Sequence, residues 1–197
     1  MPDSAEEAIL TPPTLTPRAQ RILDVASELF YRRGLHAVGV DTISAESGVT
    51  KRTLYDRFGS KDAVIEAYLQ QRHTVWWARM ERRIAAQPDA RVLALWDAHI
   101  QDAEPFDRGC AFLNAGGELP VDHPALRVIR AHKAAVRDRF VDLVTADHPD
   151  IADPDRTAEV IVLLLEGGMA HRGIDGDDHL LRRGRDEVER ILSAAPA

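Results

Sequence analysis

Gly48 separates two short stretches of helical character, about Val40 to Ser47 and about Lys51 to Phe58, and this spacing constrains the fold more than any other feature. A short helix, a glycine turn and a second short helix make a helix-turn-helix. Thr50 can cap the second helix, whose exposed start carries Lys51, Arg52 and Thr53 with Tyr55 close behind. In this motif the start of the second helix meets base edges in the DNA major groove. Double-stranded DNA is therefore the expected partner.

The helices around the motif follow from their punctuation. Thr16 as N-cap, Pro17 at the first helical position and Gly34 just past the end bound a helix whose Ile22, Ala26, Leu29 and Phe30 share one apolar face. Within the motif's first helix, Ile43 and Ala45 are expected to face inward. Ser60 caps a long helix carrying Val64, Ile65, Tyr68, Leu69, Trp76, Met80 and Ile84 at helical spacing, and Gln87-Pro88-Asp89 ends it. Val92, Leu93, Trp96 and Ile100 define a further helix, stopped by Glu104-Pro105. A short apolar segment from Gly109 to Leu119 follows, then a helix carrying Leu126, Ile129, Val136, Phe140 and Leu143. After a loop from His148 to Pro154 come helices over about Thr157 to His171 and Asp178 to Leu192. No stretch alternates as a strand does, so the expected fold class is all-α, with about nine helices. Residues 1–15, with Pro2, Pro12 and Pro13, read as a mobile arm, 16–61 as the helix-turn-helix domain and 62–197 as a larger helical domain.

The net charge of −7 fits a DNA-binding chain once it is placed along the sequence. From Thr16 to Lys61 there are eight basic residues and five acids, a net of +3, while 62–197 carry −7. A basic module on an acidic body has the sign asymmetry of a DNA footprint. No apolar run approaches the roughly 18 residues of a membrane span, and the acidic start has no secretory apolar core. The single cysteine, Cys110, excludes an internal disulfide and suits a reducing cytoplasm, the expected location.

Three patterns then occur in order: Ala26-x-x-Leu29-Phe30 with Gly34, Asp41-x-Ile43 with Gly48-Val49, and Thr53-Leu54-Tyr55-x-x-Phe58-x-Ser60-Lys61. Together, from about Arg21 to Leu69, they resemble the TetR family of bacterial transcriptional regulators. The resemblance implies an N-terminal three-helix helix-turn-helix domain joined to a helical ligand-binding domain that dimerises through its last two helices. It also implies a homodimeric repressor on a two-fold operator. Arg52 is the first choice for direct readout, since Arg pairs bidentately with guanine O6 and N7. Lys51 and Thr53 are the other base candidates. The matching family tyrosine implies that Tyr55 places its hydroxyl on a phosphate, and Arg57 and Lys61 are further phosphate candidates. Where the family has Thr or Ser at the start of the motif's first helix, this chain has Gly39, so Thr42 or Ser44 is left to replace that phosphate contact. Leu54 and Phe58 read as core.

A two-fold dimer is the expected assembly, with Ile161, Leu164, Leu165, Gly168, Leu181, Val188 and Ile191 as its interface, because the helix near Leu164 is apolar around more than one face. The effector pocket candidates are Trp76, Met80, Trp96, His99, Cys110, Phe112, Asn114, Glu118, His132, Phe140 and Met169, with Trp77, Phe106 and Glu166 also on the middle helices. Each is equally at home in an ordinary core. The acidic body favours a neutral or cationic apolar effector. Cys110 follows Asp107, Arg108 and Gly109, so a redox- or electrophile-sensing regulator is one alternative, though free cysteines are commonly inert core residues. A small cysteine-dependent enzyme is the other. Against it, the chain has no nucleophile elbow and no glycine-rich phosphate loop, and its eight histidines show no metal-ligand spacing. Neither cofactor, metal nor enzymatic activity is expected.

Overall fold

Ten helices and no strand occur among residues 4–103 and 108–194, the part of the chain that this computed structural model describes. In chain order they are α1 (Ser4–Leu10), α2 (Pro17–Arg33), α3 (Val40–Ser47), α4 (Lys51–Phe58), α5 (Lys61–Ala86), α6 (Arg91–Ala103), α7 (Ala111–Glu118), α8 (Leu126–Asp147), α9 (Pro154–Asp175) and α10 (His179–Ser193). The chain divides into two compact units. The first takes the chain up to Val75 together with Ala111–His132, and the second takes Trp76–Cys110 and everything from Lys133 onward.

Side-chain caps start three of the helices in the first unit. The Thr16 hydroxyl accepts from the Ala19 amide with Pro17 inside the first turn, Thr50 accepts from Thr53 at 3.2 Å, and Ser60 accepts from Ala63 at 3.0 Å. Gly48, with φ at +67°, makes the left-handed turn between α3 and α4, a conformation that side chains rarely adopt. Around that turn Ile22, Leu23, Ala26, Phe30, Val38, Ile43, Leu54, Val64 and Leu69 are buried together as one core. The Lys61 ammonium donates to the Leu35 carbonyl at 2.7 Å, tying the start of α5 to the loop after α2.

Packing in the second unit depends on two close approaches to α10. A Cβ at Gly168 of α9 would lie 2.7 Å from Leu181, and one at Gly184 of α10 would lie 2.8 Å from the Trp96 ring. Without side chains at these two positions, α9, α10 and α6 can meet at short range, over a core that includes Met80, Leu95, Trp96, Phe140, Leu143, Ile161, Leu165 and Val188. Arg185 of α10 pairs with Asp97 of α6 at 2.8 Å, and Arg91 pairs with Asp147.

Most expected helices recur with the expected bounds, and three features differ. Ser4–Leu10, read as part of an arm, form α1, whose Leu10 is buried and whose Ile9 carbonyl accepts from Gln70 at 2.8 Å. Prolines that follow a short helix look the same in sequence as prolines in an extended arm. α9 starts earlier and ends later than its apolar run, because Asp153 and Pro154, read as loop, are its cap and first turn. In α3 the inward pair is Ile43 and Ser47 rather than Ile43 and Ala45, since residues four apart share a helix face and residues two apart do not.

Candidate nucleic-acid interface

The start of α4 is exposed because its opposite side is spent on the core. Leu54 is fully buried, while Lys51, Arg52, Tyr55 and Arg57 are exposed, Arg52 to 91% of its side chain. At rest these cations are held by acids: Lys51 pairs closely with Asp41, and Arg52 Nε lies 3.8 Å from Asp56. Arg33 meets Glu46 at 3.2 Å and Arg32 meets Glu28 at 3.4 Å. Exposed pairs of this kind contribute little, so phosphate oxygens or base edges can replace the carboxylates at small cost. The Tyr55 ring is 49% exposed.

Two of the expected contact residues are partly committed elsewhere. Thr53 Oγ1 lies 3.0 Å from Thr50 Oγ1 within the helix cap, which leaves its methyl group for a base. Lys61 spends one of its three donors on Leu35. Thr42 is half-buried on the first turn of α3, whereas the Ser44 hydroxyl is buried without a hydrogen-bond partner and so does not face a phosphate. Gly39 caps α3 with no side-chain bond, as its lack of a side chain requires.

Residues 22–68 match the family of bacterial regulatory proteins designated tetR. A TetR-family transcriptional regulator from Streptomyces coelicolor superposes with a TM-score of 0.78 at 33% identity, covering 90% of this chain and 95% of that one. The chain belongs to the TetR family. A second TetR-type regulator, from Streptomyces avermitilis, gives a TM-score of 0.77 at 30% identity, over 92% of this chain and 98% of its own. The HTH-type transcriptional activator FasR of Mycolicibacterium smegmatis is 32% identical over 135 residues, 66% of this chain. That match spans only 60% of the activator's length. The chain is thus a DNA-binding transcriptional regulator, and its helix-turn-helix followed by a helical C-terminal part is the family's architecture.

The residues expected at this TetR-family member's effector pocket fall into both units. In the first unit Phe112 stacks on His132 with ring centroids 3.6 Å apart, and His132 Nδ1 lies 3.0 Å from His73 Nδ1. Asn114 is half-buried. Glu118 turns toward the helix-turn-helix: its carboxylate accepts from the His36 amide at 2.9 Å, and its backbone carbonyl lies 2.7 Å from His36 Nε2. In the second unit the Trp76 ring lies tilted against His99 with centroids 4.6 Å apart, and Met80, Trp96, Phe140 and Met169 are buried. Trp76 and Met80 line a cavity of about 70 Å³, far below effector size. Phe106 and Asp107 lie outside the described residues.

Lys133 is the group at this site that sequence reasoning missed. Its ammonium sits 2.6 Å from Glu166 and 3.6 Å from the Cys110 sulfur. Burial alone would lower its pKa, but Cys110 and Glu166 hold it above the usual lysine range. Nothing in the sequence distinguished Lys133 from the other cations of α8, because its partners come from distant parts of the chain.

The expected dimer residues divide by burial. Ile161, Leu165, Gly168, Leu181 and Val188 are buried in the chain's own packing. Leu164 and Ile191 are half-buried. The exposed apolar face of α9 lies on the other side, at Val160, Leu163 and Ile174, with Leu180 beside it, and Leu163 is 72% exposed. A helix apolar on every side carries both faces, and composition alone cannot say which is turned inward.

Two of the buried histidines, His73 and His99, generate a pH prediction. Burial pushes His99 down to about 3 and His73 down to about 4, from an ordinary 6.5. The unfolded chain therefore binds more protons than the folded one below pH 6.5, and stability falls as pH drops from 6.5 toward 4. Urea midpoints at pH 7.5 and about pH 5 should show this fall. His99→Phe keeps an aromatic ring beside Trp76 and should shrink it; an equal fall in the variant would assign the effect to other groups.

Proposed function

We propose that the chain acts as a homodimeric repressor, held on a two-fold operator by α4 and released when a small, largely apolar effector enters the helical C-terminal part. The exposed start of α4 carries this reading, because it presents Lys51 and Arg52 on a rigidly packed helix-turn-helix. Arg52, the most exposed of the cations, reads a guanine, with Lys51 and the Thr53 methyl beside it. Tyr55, Arg57, Thr42 and the free donors of Lys61 bind phosphates. A small effector can act at the DNA because operator binding needs two recognition helices about 34–36 Å apart or a multiple of it. A ligand that favours another spacing lowers affinity by its preference for that state. FasR activates transcription, so the test must read both directions. Such a protein works where the chromosome is, in the bacterial cytoplasm.

Arg52→Ala should weaken the preference at one base position per half-site by about 1–3 kcal/mol and leave the other positions intact. Binding to a library of operator variants checks this. Equal losses on every sequence would make Arg52 a phosphate contact, and no loss would remove it from the interface.

For dimerisation, the supporting observation is the apolar stripe of Val160, Leu163 and Ile174 on α9. Beside it an open groove of about 530 Å³ runs along Leu163, Leu164, Gly167, Leu180 and Gly184. A second copy would cover this apolar surface. Leu163→Glu should give a folded monomer by light scattering and abolish high-affinity operator binding. A dimeric variant would place the interface elsewhere.

A second reading, sensing through Cys110, is favoured by one contact, the Lys133 ammonium beside the sulfur. Reactive cysteines are found beside cations of this kind. N-ethylmaleimide would then form a carbon–sulfur bond, with the thiol proton ending on the ring carbon. Alkylation should release the wild-type chain from its operator and spare Cys110→Ser. Equal release of both would end this reading.

A further inference from the structure

Arg172 lies on the buried face of α9, in line with Ile161, Leu165 and Gly168 and beside Met169, and is only 6% exposed. Among the described residues, Nε and Nη1 of its guanidinium are buried with no hydrogen-bond partner. The carboxylates closest in sequence are engaged elsewhere: Glu166 with Lys133 at 2.6 Å, Asp175 with the His171 ring at 2.9 Å, Asp177 with the His179 amide at 2.9 Å, and Asp178 with Arg182 at 2.8 Å. On α6, Asp97 serves Arg185 and Arg83. Burial therefore leaves two guanidinium donors without an acceptor among the described residues of the second unit. Trp96 Nε1, in the same unit, is another buried donor without an acceptor.

We propose that Arg172 is an anion-binding residue, and that the effector is an apolar organic molecule carrying one carboxylate. The inference rests on the effector reading above and deepens it. The planar guanidinium fork matches the two oxygens of a carboxylate, and a single unpaired cation calls for a single negative charge. The apolar residues sharing its helix face, Ile161, Leu165 and Met169, suit an apolar body. The acidic surface of the C-terminal part argues for a neutral or cationic ligand only at long range, where salt screens it. At contact distance the buried charge decides.

The experiment uses the full chain at neutral pH. Benzoate, phenylacetate, phenylbutyrate and octanoate are each compared with their own amide, by melting temperature and by quenching of tryptophan fluorescence. Trp76, Trp77 and Trp96 all lie in the second unit. At least one carboxylate should bind about tenfold more tightly than its amide, as expected for a hydrogen bond to a charged group. Arg172→Met should lose that preference. It should also raise the melting temperature of the ligand-free chain, because it removes a buried charge that has no partner. If no acid outperforms its amide, or if Arg172→Met keeps the preference, the proposal is overturned. A ligand-free Arg172→Met that melts lower would assign Arg172 a structural role instead. Operator binding separates the two readings: acids that bind without releasing DNA uphold the Arg172 site and overturn effector release. Release by amides as readily as by acids does the reverse.

Discussion

Burial of Leu54 and Ile43 in the core beneath α2 is the interaction on which the DNA contact depends. A helix of eight residues has almost no stability of its own in water, since nucleation costs more than so few hydrogen bonds return. α4 keeps its shape because Thr50 caps it, Gly48 aims it and Leu54 anchors it from below. Those three residues leave Lys51, Arg52 and Tyr55 on the outside with nothing else to do for the fold. The exposed cations are therefore a consequence of the packing: the same side that fixes the helix frees the side that reads DNA.

The first unit was readable in advance because its signals are local. Thr16, Pro17, Gly34, Gly48 and Thr50 each act within a few residues of their own position, so helix bounds and the turn followed from spacing. Even there, Ser47 takes the inward place expected of Ala45, because a hydroxyl and a methyl are similar in size and the wheel position decides between them. The effector and dimer residues were less readable for the opposite reason. Glu118 finds its partner at His36, far earlier in the chain, and Lys133 finds Cys110 and Glu166 on other elements. Residue type singled out Glu118 and Cys110 as polar groups in apolar stretches, but only the folded chain shows what each one touches.

α9 shows how one helix can serve two purposes at once. Its inward stripe of Ala158, Ile161, Leu165, Gly168 and Met169 is closed by α10 at Leu181 and by the ring of Trp96 against Gly184. Its outward stripe of Val160, Leu163 and Ile174 is exposed among the described residues. The two stripes make the helix apolar on every side, which sequence read as a single interface. Separating them turns a list of apolar residues into a division of labour: the inner set stabilises the protomer, and the outer set is what a second protomer would cover.

Arg172 stands on the inner stripe, where every neighbour on the helix face is apolar, and this placement links stability to sensing. A leucine or methionine there would extend the apolar face, as Leu165 and Met169 do two turns and one turn earlier. An arginine instead leaves the ligand-free protomer less stable than its packing allows. Any anion that reaches the guanidinium supplies the missing acceptor and stabilises the state that holds it. Guanidinium donors left without an acceptor among the described residues are what the proposed anion would meet, and a difference in its affinity between conformations is the only quantity that can shift an equilibrium. The feature least favourable to folding in the second unit is therefore the one best suited to couple a small molecule to the DNA.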